Sequence, residues 1–252
     1  MTLRIYLTGN VCIESDTTLV REDRFAGMQG RVVFAMLAAE HGRPVSRGEL
    51  VEELWGGAPP ASWDAALRSV VSKLRGLLSE AGLGGGALAS AFGSYQLHLP
   101  TGSWVDVEAA ADAIHRAEPA MRDGNLADAV GFGRVAATVS ARPLLAGAAG
   151  PWVERRRAQL RDIRLRALHC LADAWLAVGD AGTAARDAEL AIELDPFHEP
   201  SHRLLMRALV QSGNRAGALV AYERCRRLLV EELGADPSSE TEAVHLEILR
   251  GA

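Results

Sequence analysis

Lysine is all but missing from this chain. Of its 27 basic side chains in 252 residues, Lys73 alone is a lysine and the rest are arginines. There is no overall excess of positive charge either, since the formal net charge is −5. Residues 1–100 hold 9 Arg and Lys against 10 Asp and Glu. A uniformly basic domain is thereby excluded, and any nucleic-acid contact must come from a local patch. Cysteine is scarce: Cys12, Cys170 and Cys225 are far apart and odd in number. That implies neither a disulfide framework nor a zinc cluster and fits small buried hydrophobes in a reducing compartment. No apolar run has the length of a membrane span, and Met1-Thr2-Leu3-Arg4 leads into a strand-like alternation with no signal-peptide pattern. A cytoplasmic protein with no membrane partner is expected.

Catalytic spacings are also lacking. There is no G-x-S-x-G elbow, and His41, His98, His115, His169 and His245 stand isolated. Gly82-Leu83-Gly84-Gly85-Gly86 has no following Lys-Ser/Thr and comes after a helical pattern, so it reads as a linker and not as a phosphate cradle. His198-Glu199-Pro200-Ser201-His202 matches the H-E-x-x-H letters of zinc hydrolases. That chemistry needs both histidines on one helical face with the Glu beside the metal-bound water. Pro200 between them, after Asp195-Pro196, instead places the run in a turn that opens a helix. Neither an enzyme, a metal site nor a cofactor site is expected.

What the chain does have is 48% hydrophobic residues, enough for a full core and two domains. Its most informative stretch is Ser62–Ser79. Leu67, Val71, Leu74 and Leu78 recur on one helical face, and Ser62 or Asp64 is placed to cap the first turn. On the opposite face Ala65, Ser69, Ser72 and Gly76 form a small, uncharged ridge, flanked by Arg68 and Arg75 on one side and Lys73 on the other. Such a ridge suits a narrow, negatively walled space, and the major groove of DNA admits one helix; the plainer alternative for this stretch is an amphipathic helix with a solvated basic face.

Along the chain, Leu3, Ile5 and Leu7 alternate, Gly9-Asn10 turns, and Val11 and Ile13 resume, with further strand near Thr17 to Val20. Gln29 to His41 turns helical on Val32, Val33, Met36 and Leu37. Ser46 and Glu49 form a capping box for a second helix, whose buried side is Leu50, Val51, Leu54 and Trp55 and which Gly56-Gly57 stops. The Ser62–Ser79 helix follows, then a Gly93-Ser94 turn and an alternating strand on Tyr95, Leu97 and Leu99. Strands, three helices and a terminal hairpin describe a winged helix-turn-helix.

After Pro100-Thr101-Gly102 everything reads as helical, beginning with a helix capped by Asp106. Gly179-Asp180 and Gly213-Asn214 lie 34 apart, as do Ala174/Ala208, Ala184/Ala218 and Leu194/Leu228. Gly124-Asn125 is followed by Ala129 at the same offset. A spacing of 34 is the tetratricopeptide period, with the Gly and its polar follower turning between two helices and the Ala letting them approach. Pro151 to Arg166 carries Arg155, Arg156, Arg157, Arg161, Arg164 and Arg166 and reads as a solvated, partner-facing helix, the alternatives being a nucleic-acid contact or a place for Arg155 to Arg157 near the DNA domain.

The run Arg43 to Gly56, then Pro59 to Ser62, then Leu67 through Arg75, resembles the Streptomyces antibiotic regulatory protein (SARP) family. The ending is similar to that family's bacterial transcriptional activator domain, in Ala218 to Glu223 and in Glu231-Glu232-Leu233-Gly234-Ala235-Asp236-Pro237. The resemblance implies a fold that is mainly α with a small β component: an OmpR-like winged helix over 1–100, followed by an all-α tetratricopeptide-like domain over 104–252. It implies an activator of a secondary-metabolite gene cluster that binds direct repeats in promoters, as a homodimer at least on DNA, and recruits RNA polymerase in the nucleoid. The family's recognition helix falls on Ala65 to Leu78 and its wing on about Leu88 to Leu99. Expected DNA contacts are Arg68 to base edges, Ser69 and Ser72 to bases or water, and Lys73 and Arg75 to phosphates, helped by Arg31 and Ser94. Two departures stand out. Ala65, Ala66 and Arg68 replace the usual Asn-Thr and Gln, and Ala89 to Tyr95 lacks the usual wing arginine. They imply a less polar base readout and weaker anchoring by the wing. The alternative is a regulatory adaptor whose helical repeats bind a protein or ligand, with weak DNA binding by the winged helix.

Overall fold

A computed structural model describes residues 2–251. Its contacts divide the chain into two compact units. One holds 1–110 and 139–160, and the other holds 111–138 and 161–252.

In the first unit the alternating opening pairs as read. β1 (Arg4–Tyr6) runs antiparallel to β2 (Cys12–Glu14), with Ile5 opposite Ile13, and β2 pairs with β3 (Leu19–Val20). Leu3, Ile5, Leu7 and Ile13 are fully buried, as a period of two on one buried sheet face demands. α1 (Gly27–Ala39) is buried on nearly every side, through Val32 to Ala38. A second sheet joins β4 (Val45–Ser46), β6 (Ser94–Leu97) and β5 (Leu88–Ala91), in the order β4-β6-β5. Between β4 and the hairpin lie α2 (Arg47–Trp55) and α3 (Trp63–Glu80). The capping box forms as read, with the Glu49 amide on Ser46 Oγ at 3.1 Å and the Ser46 amide on Glu49 Oε2 at 2.9 Å. Gly56, at φ 56°, closes α2 in the left-handed conformation.

Two expectations fail after residue 100. The chain is not uniformly helical there: β7 (Trp104–Val105) runs parallel to β1, with Arg4 opposite Trp104. A two-residue strand has no periodicity to read, and its pairing partner is a hundred residues away. Asp106 also differs from its reading as a cap: it is the first residue of α4 (Asp106–Arg122), and its side chain serves mainly the opening strand. Its fully buried carboxylate accepts from the amides of Leu7, Thr8 and Val107 and from the Thr8 hydroxyl, at 2.7–3.0 Å. Four donors offset the desolvation of that charge.

The buried side of α2 also differs from its apolar reading. Leu50 is buried, but the second buried residue is Glu53, while Val51, Leu54 and Trp55 are only partly covered. Glu53 accepts from the amides of Trp152 and Val153, at 2.6 and 3.1 Å, where α6 (Pro151–Ala177) begins. A carboxylate at a helix N-terminus takes up otherwise orphaned amides and meets the positive end of the helix dipole.

The second unit is helical. It contains α5 (Leu126–Ser140), α7 (Ala181–Leu194), α8 (Glu199–Gln211), α9 (Arg215–Leu233) and α10 (Ser239–Arg250). The repeat signal is realised in full. Gly124, Gly179 and Gly213 turn at φ 73°, 87° and 79°. Their followers Asn125, Asp180 and Asn214 accept from the amides of Asp128, Thr183 and Gly217 at 3.3, 3.0 and 2.9 Å. Ala129, Ala184 and Ala218 are each fully buried. α8 packs on α7, α9 and α10 around Met206, Leu204, Tyr222 and Ile248.

Candidate nucleic-acid interface

The apolar stripe of α3 orients everything on this surface. Leu67, Val70, Val71, Leu74, Leu77 and Leu78 are buried, and the helix packs on α1. Burying six side chains of a helix fixes which side faces out, at a gain of roughly 1.5–3 kcal/mol for each large one. The outward face is Ala65, Arg68, Ser69, Ser72, Lys73, Arg75 and Gly76, all exposed. A Cβ on Gly76 would meet nothing within 4 Å, so the ridge is open along this length.

The cations differ in how free they are. Lys73 makes no ion pair or hydrogen bond among the described residues, and neither do the Ser69 and Ser72 hydroxyls. Arg68 is 67% exposed along its side chain but reaches back to Asp64 Oδ2 at 2.5 Å. The Arg75 guanidinium donates to the Leu88 carbonyl and to Ser90 Oγ, all at 3.3 Å, tying α3 to β5 of the wing. Arg31 stands apart. It lies on α1 beside the β2–β3 side of the unit, in an ion pair with Glu22, with only a quarter of its side chain exposed. Ser94 opens β6, where its backbone pairs with Ser46 and Ala91.

Neither expected cap forms at the start of α3. Ser62 sits at φ −92°, ψ 14°, outside the extended geometry a capping side chain needs, and makes no cap bond. Asp64 is taken by two arginines, Arg68 and Arg47. Arg47 went unnoticed in the sequence. Its guanidinium also lies 5.3 Å from the Trp63 ring centre, and its amide donates to the Gly93 carbonyl at 3.0 Å. One residue thus fastens the start of α2 to the start of α3 and to the wing turn. No periodicity links position 47 to 63, 64 or 93, so only the coincidence of Arg, Trp and Asp at helix starts hinted at it.

The wing turn is one residue earlier than read. Phe92 and Gly93 are its central pair, at φ 49° and 73°, joining β5 and β6 as a two-residue hairpin of the I′ kind.

The arginine-rich start of α6 is largely spoken for, against the reading of a solvated helix and in line with the alternative that Arg155 to Arg157 sit near the winged helix. Arg156 pairs with Glu40 Oε1 at 2.6 Å, and Arg157 donates to the Leu144 and Leu145 carbonyls and to Glu154. Burial pushes the Glu40 carboxyl up, but hydrogen bonds from Trp152 and Arg156 and the charges of Arg156 outweigh it and hold it below the usual range. In the second unit Arg166 clasps Glu118 through two bonds, at 2.7 and 2.8 Å. Arg155 and Arg161 are exposed and unpaired among the described residues.

The hydrolase-like motif comes apart in space. His198 precedes α8 and meets Ser201 Oγ at 2.7 Å, His202 meets the Pro196 carbonyl at 2.9 Å, and Glu199 accepts from the Ser238 amide and hydroxyl. Among the described residues no group of three His, Cys, Asp or Glu is arranged to hold a metal ion, and no helix is long and apolar enough to cross a membrane. Burial pushes the Cys170 and Cys225 thiols up to about 11, which keeps them protonated and unreactive.

These elements form a winged helix-turn-helix followed in the chain by tetratricopeptide-like helical hairpins. The chain belongs to the Streptomyces antibiotic regulatory protein family of transcriptional regulators, and the profile of the Bacterial transcriptional activator domain matches residues 105–249. Regulatory protein AfsR of Streptomyces coelicolor is 34% identical over 222 residues, 88% of this chain and 22% of AfsR. Transcriptional regulator RedD of the same species is 30% identical over 87% of this chain and 63% of RedD. The solved structure of Mycobacterium tuberculosis EmbR in complex with a low-affinity phosphopeptide is similar, with TM-score 0.88 and 29% identity, over 99% of this chain and 65% of that one. The chain therefore spans about a fifth of AfsR and under two-thirds of RedD and EmbR.

Proposed function

We propose that this chain is a sequence-specific DNA-binding activator of a secondary-metabolite gene cluster, which binds direct repeats in promoters and recruits RNA polymerase. The observation that carries the reading is the outward face of α3: an open ridge of Ala65, Ser69, Ser72 and Gly76 between Arg68 and Arg75 on one side and the unpaired Lys73 on the other. In this mechanism the helix enters the major groove. Arg68 exchanges Asp64 for a base edge, Ser69 and Ser72 reach bases or bridging water, and Lys73 and Arg75 meet phosphates. Ser94 and, more distantly, Arg31 add backbone contacts. Two protomers bind head to tail, their sites about one helical turn apart. No step needs a cofactor or a metal.

Selection of bound sequences from random duplex DNA by the full chain, at two salt concentrations, tests this. The expected result is an enriched motif repeated about one helical turn apart. No enrichment from folded protein at low salt overturns the reading.

One observation favours an adaptor role for the helical repeats instead. Arg68, Arg75 and Arg31 are each already engaged within the chain. A DNA affinity that hardly changes with salt would mark that reading.

A further inference from the structure

Phe92 is the most exposed large hydrophobic side chain among the described residues, with a relative accessibility of 106%. It also occupies a left-handed backbone conformation, φ 49°, which a bulky side chain rarely adopts. Asn or Asp would suit the first central position of a Phe92-Gly93 turn better on both counts. Neither the exposed ring nor the backbone strain is offset by any packing within the chain. Strain of this kind at a well-defined position points to a function.

The turn is held in place. The Arg47 amide bonds the Gly93 carbonyl at 3.0 Å, β4 pairs with β6 up to Ser94, and Arg75 binds the Leu88 carbonyl and Ser90. The ring is thus presented from a fixed base, itself tied to the face of α3. Around the tip stand Ser90, Ala91, Gly93 and Ser94, and no Asp, Glu, Lys or Arg occurs from Ala81 to Leu99. A tip that is thin, uncharged and carries one flat apolar ring fits a narrow cleft between phosphates with an apolar floor. The minor groove is about 6 Å wide, and apolar side chains inserted there partly unstack a base step and bend the duplex.

We infer that Phe92 is an apolar wedge which the wing places in the DNA minor groove, so that the wing contributes by deforming the duplex where others contribute by charge. The inference rests on the DNA-binding reading above and adds readout of deformability beside the α3 contacts.

The test uses Phe92→Asn in the full chain, on the duplexes that the wild-type chain enriches from a random pool. Asn tolerates the left-handed conformation, so the variant is expected to melt at the same or a higher temperature. Its affinity is expected to fall about tenfold, since aromatic contacts to bases are of that order. The protein-induced bend, read by energy transfer between dyes on the duplex ends, and the rise in 2-aminopurine fluorescence at the wedge step should both diminish. Phe92→Gly, free of the backbone constraint, should behave alike. Equal affinity and equal bend for both variants would overturn the wedge while leaving DNA binding standing, as would a defect confined to transcription or self-association. Failure of the wild-type chain to bind any duplex would overturn both.

Discussion

Replacing Lys73 by Gln isolates the electrostatic part of the proposed contact. Lys73 is exposed and unpaired among the described residues, so the change should alter folding stability by no more than about 0.5 kcal/mol. Its effect on DNA binding follows from counterion release, which gives a slope of roughly −0.9 in log affinity against log salt for each phosphate neutralised. Two protomers, each using Lys73 and Arg75, neutralise about four phosphates and give a slope near −3.6. Between about 50 and 200 mM salt that is a loss of roughly 150-fold. The variant keeps about two contacts, a slope near −1.8 and a loss of roughly 12-fold over the same range. Fluorescence anisotropy of a labelled duplex carrying the enriched repeat, titrated at several salt concentrations, reads both slopes directly. Parallel lines for the two proteins would refute the assignment of Lys73 to a phosphate. A flat wild-type line would refute the electrostatic argument altogether.

Two further outcomes follow from buried groups. A Cβ at Gly150 would lie 2.5 Å from the Glu53 carboxyl carbon and 2.8 Å from its carbonyl oxygen, at φ 154°. Gly150→Ala should therefore displace Glu53 from the start of α6 and cost about 2–4 kcal/mol in denaturant titration; a loss under about 0.5 kcal/mol would show that α6 does not depend on that carboxylate. In the helical unit, burial pushes the imidazoles of His169, His198 and His202 below their usual value, with His198 adding to the effect on His169. The unfolded chain then binds more protons near pH 6 than the folded one. The stability these groups contribute is full above about pH 6.5 and is lost as the pH falls through that value toward their folded pKa. The melting temperature should fall from pH 7.5 to about 5.5, and less so in His169→Gln; a flat profile would contradict the burial argument.

What the sequence made legible was local or periodic. Leu67, Leu74 and Leu78 announced the buried side of α3 because a helix repeats within a few residues, and Ser46 with Glu49 announced the start of α2 because a capping box spans three. Gly179 and Gly213 announced the hairpins because the same turn was written twice. Of the candidate site, the ridge of Ser69 and Ser72 with Lys73 was read correctly as one exposed face. The engagements were not. Asp64 looked like a cap and proved to be a clamp for Arg47 and Arg68, and Arg75 is bound to a carbonyl thirteen residues on. Glu53 reads as surface on any helical wheel, because its partners Trp152 and Val153 lie about a hundred residues away. A charged side chain whose neighbours are brought by tertiary structure carries no signal in its own surroundings.

The first unit is written in two pieces, 1–110 and 139–160, with part of the other unit between them. During synthesis the earlier piece leaves the ribosome first, and for about a hundred residues of elongation Glu53 has no amides of Trp152 and Val153 to receive. At roughly 5–20 residues per second that interval lasts about 5–20 seconds. Until it ends, the winged helix exists without the helix start its buried carboxylate is waiting for. The first unit therefore closes only once the start of α6 has been made, and a graft that exchanges the chain from Pro151 onward would remove the partners of Glu53.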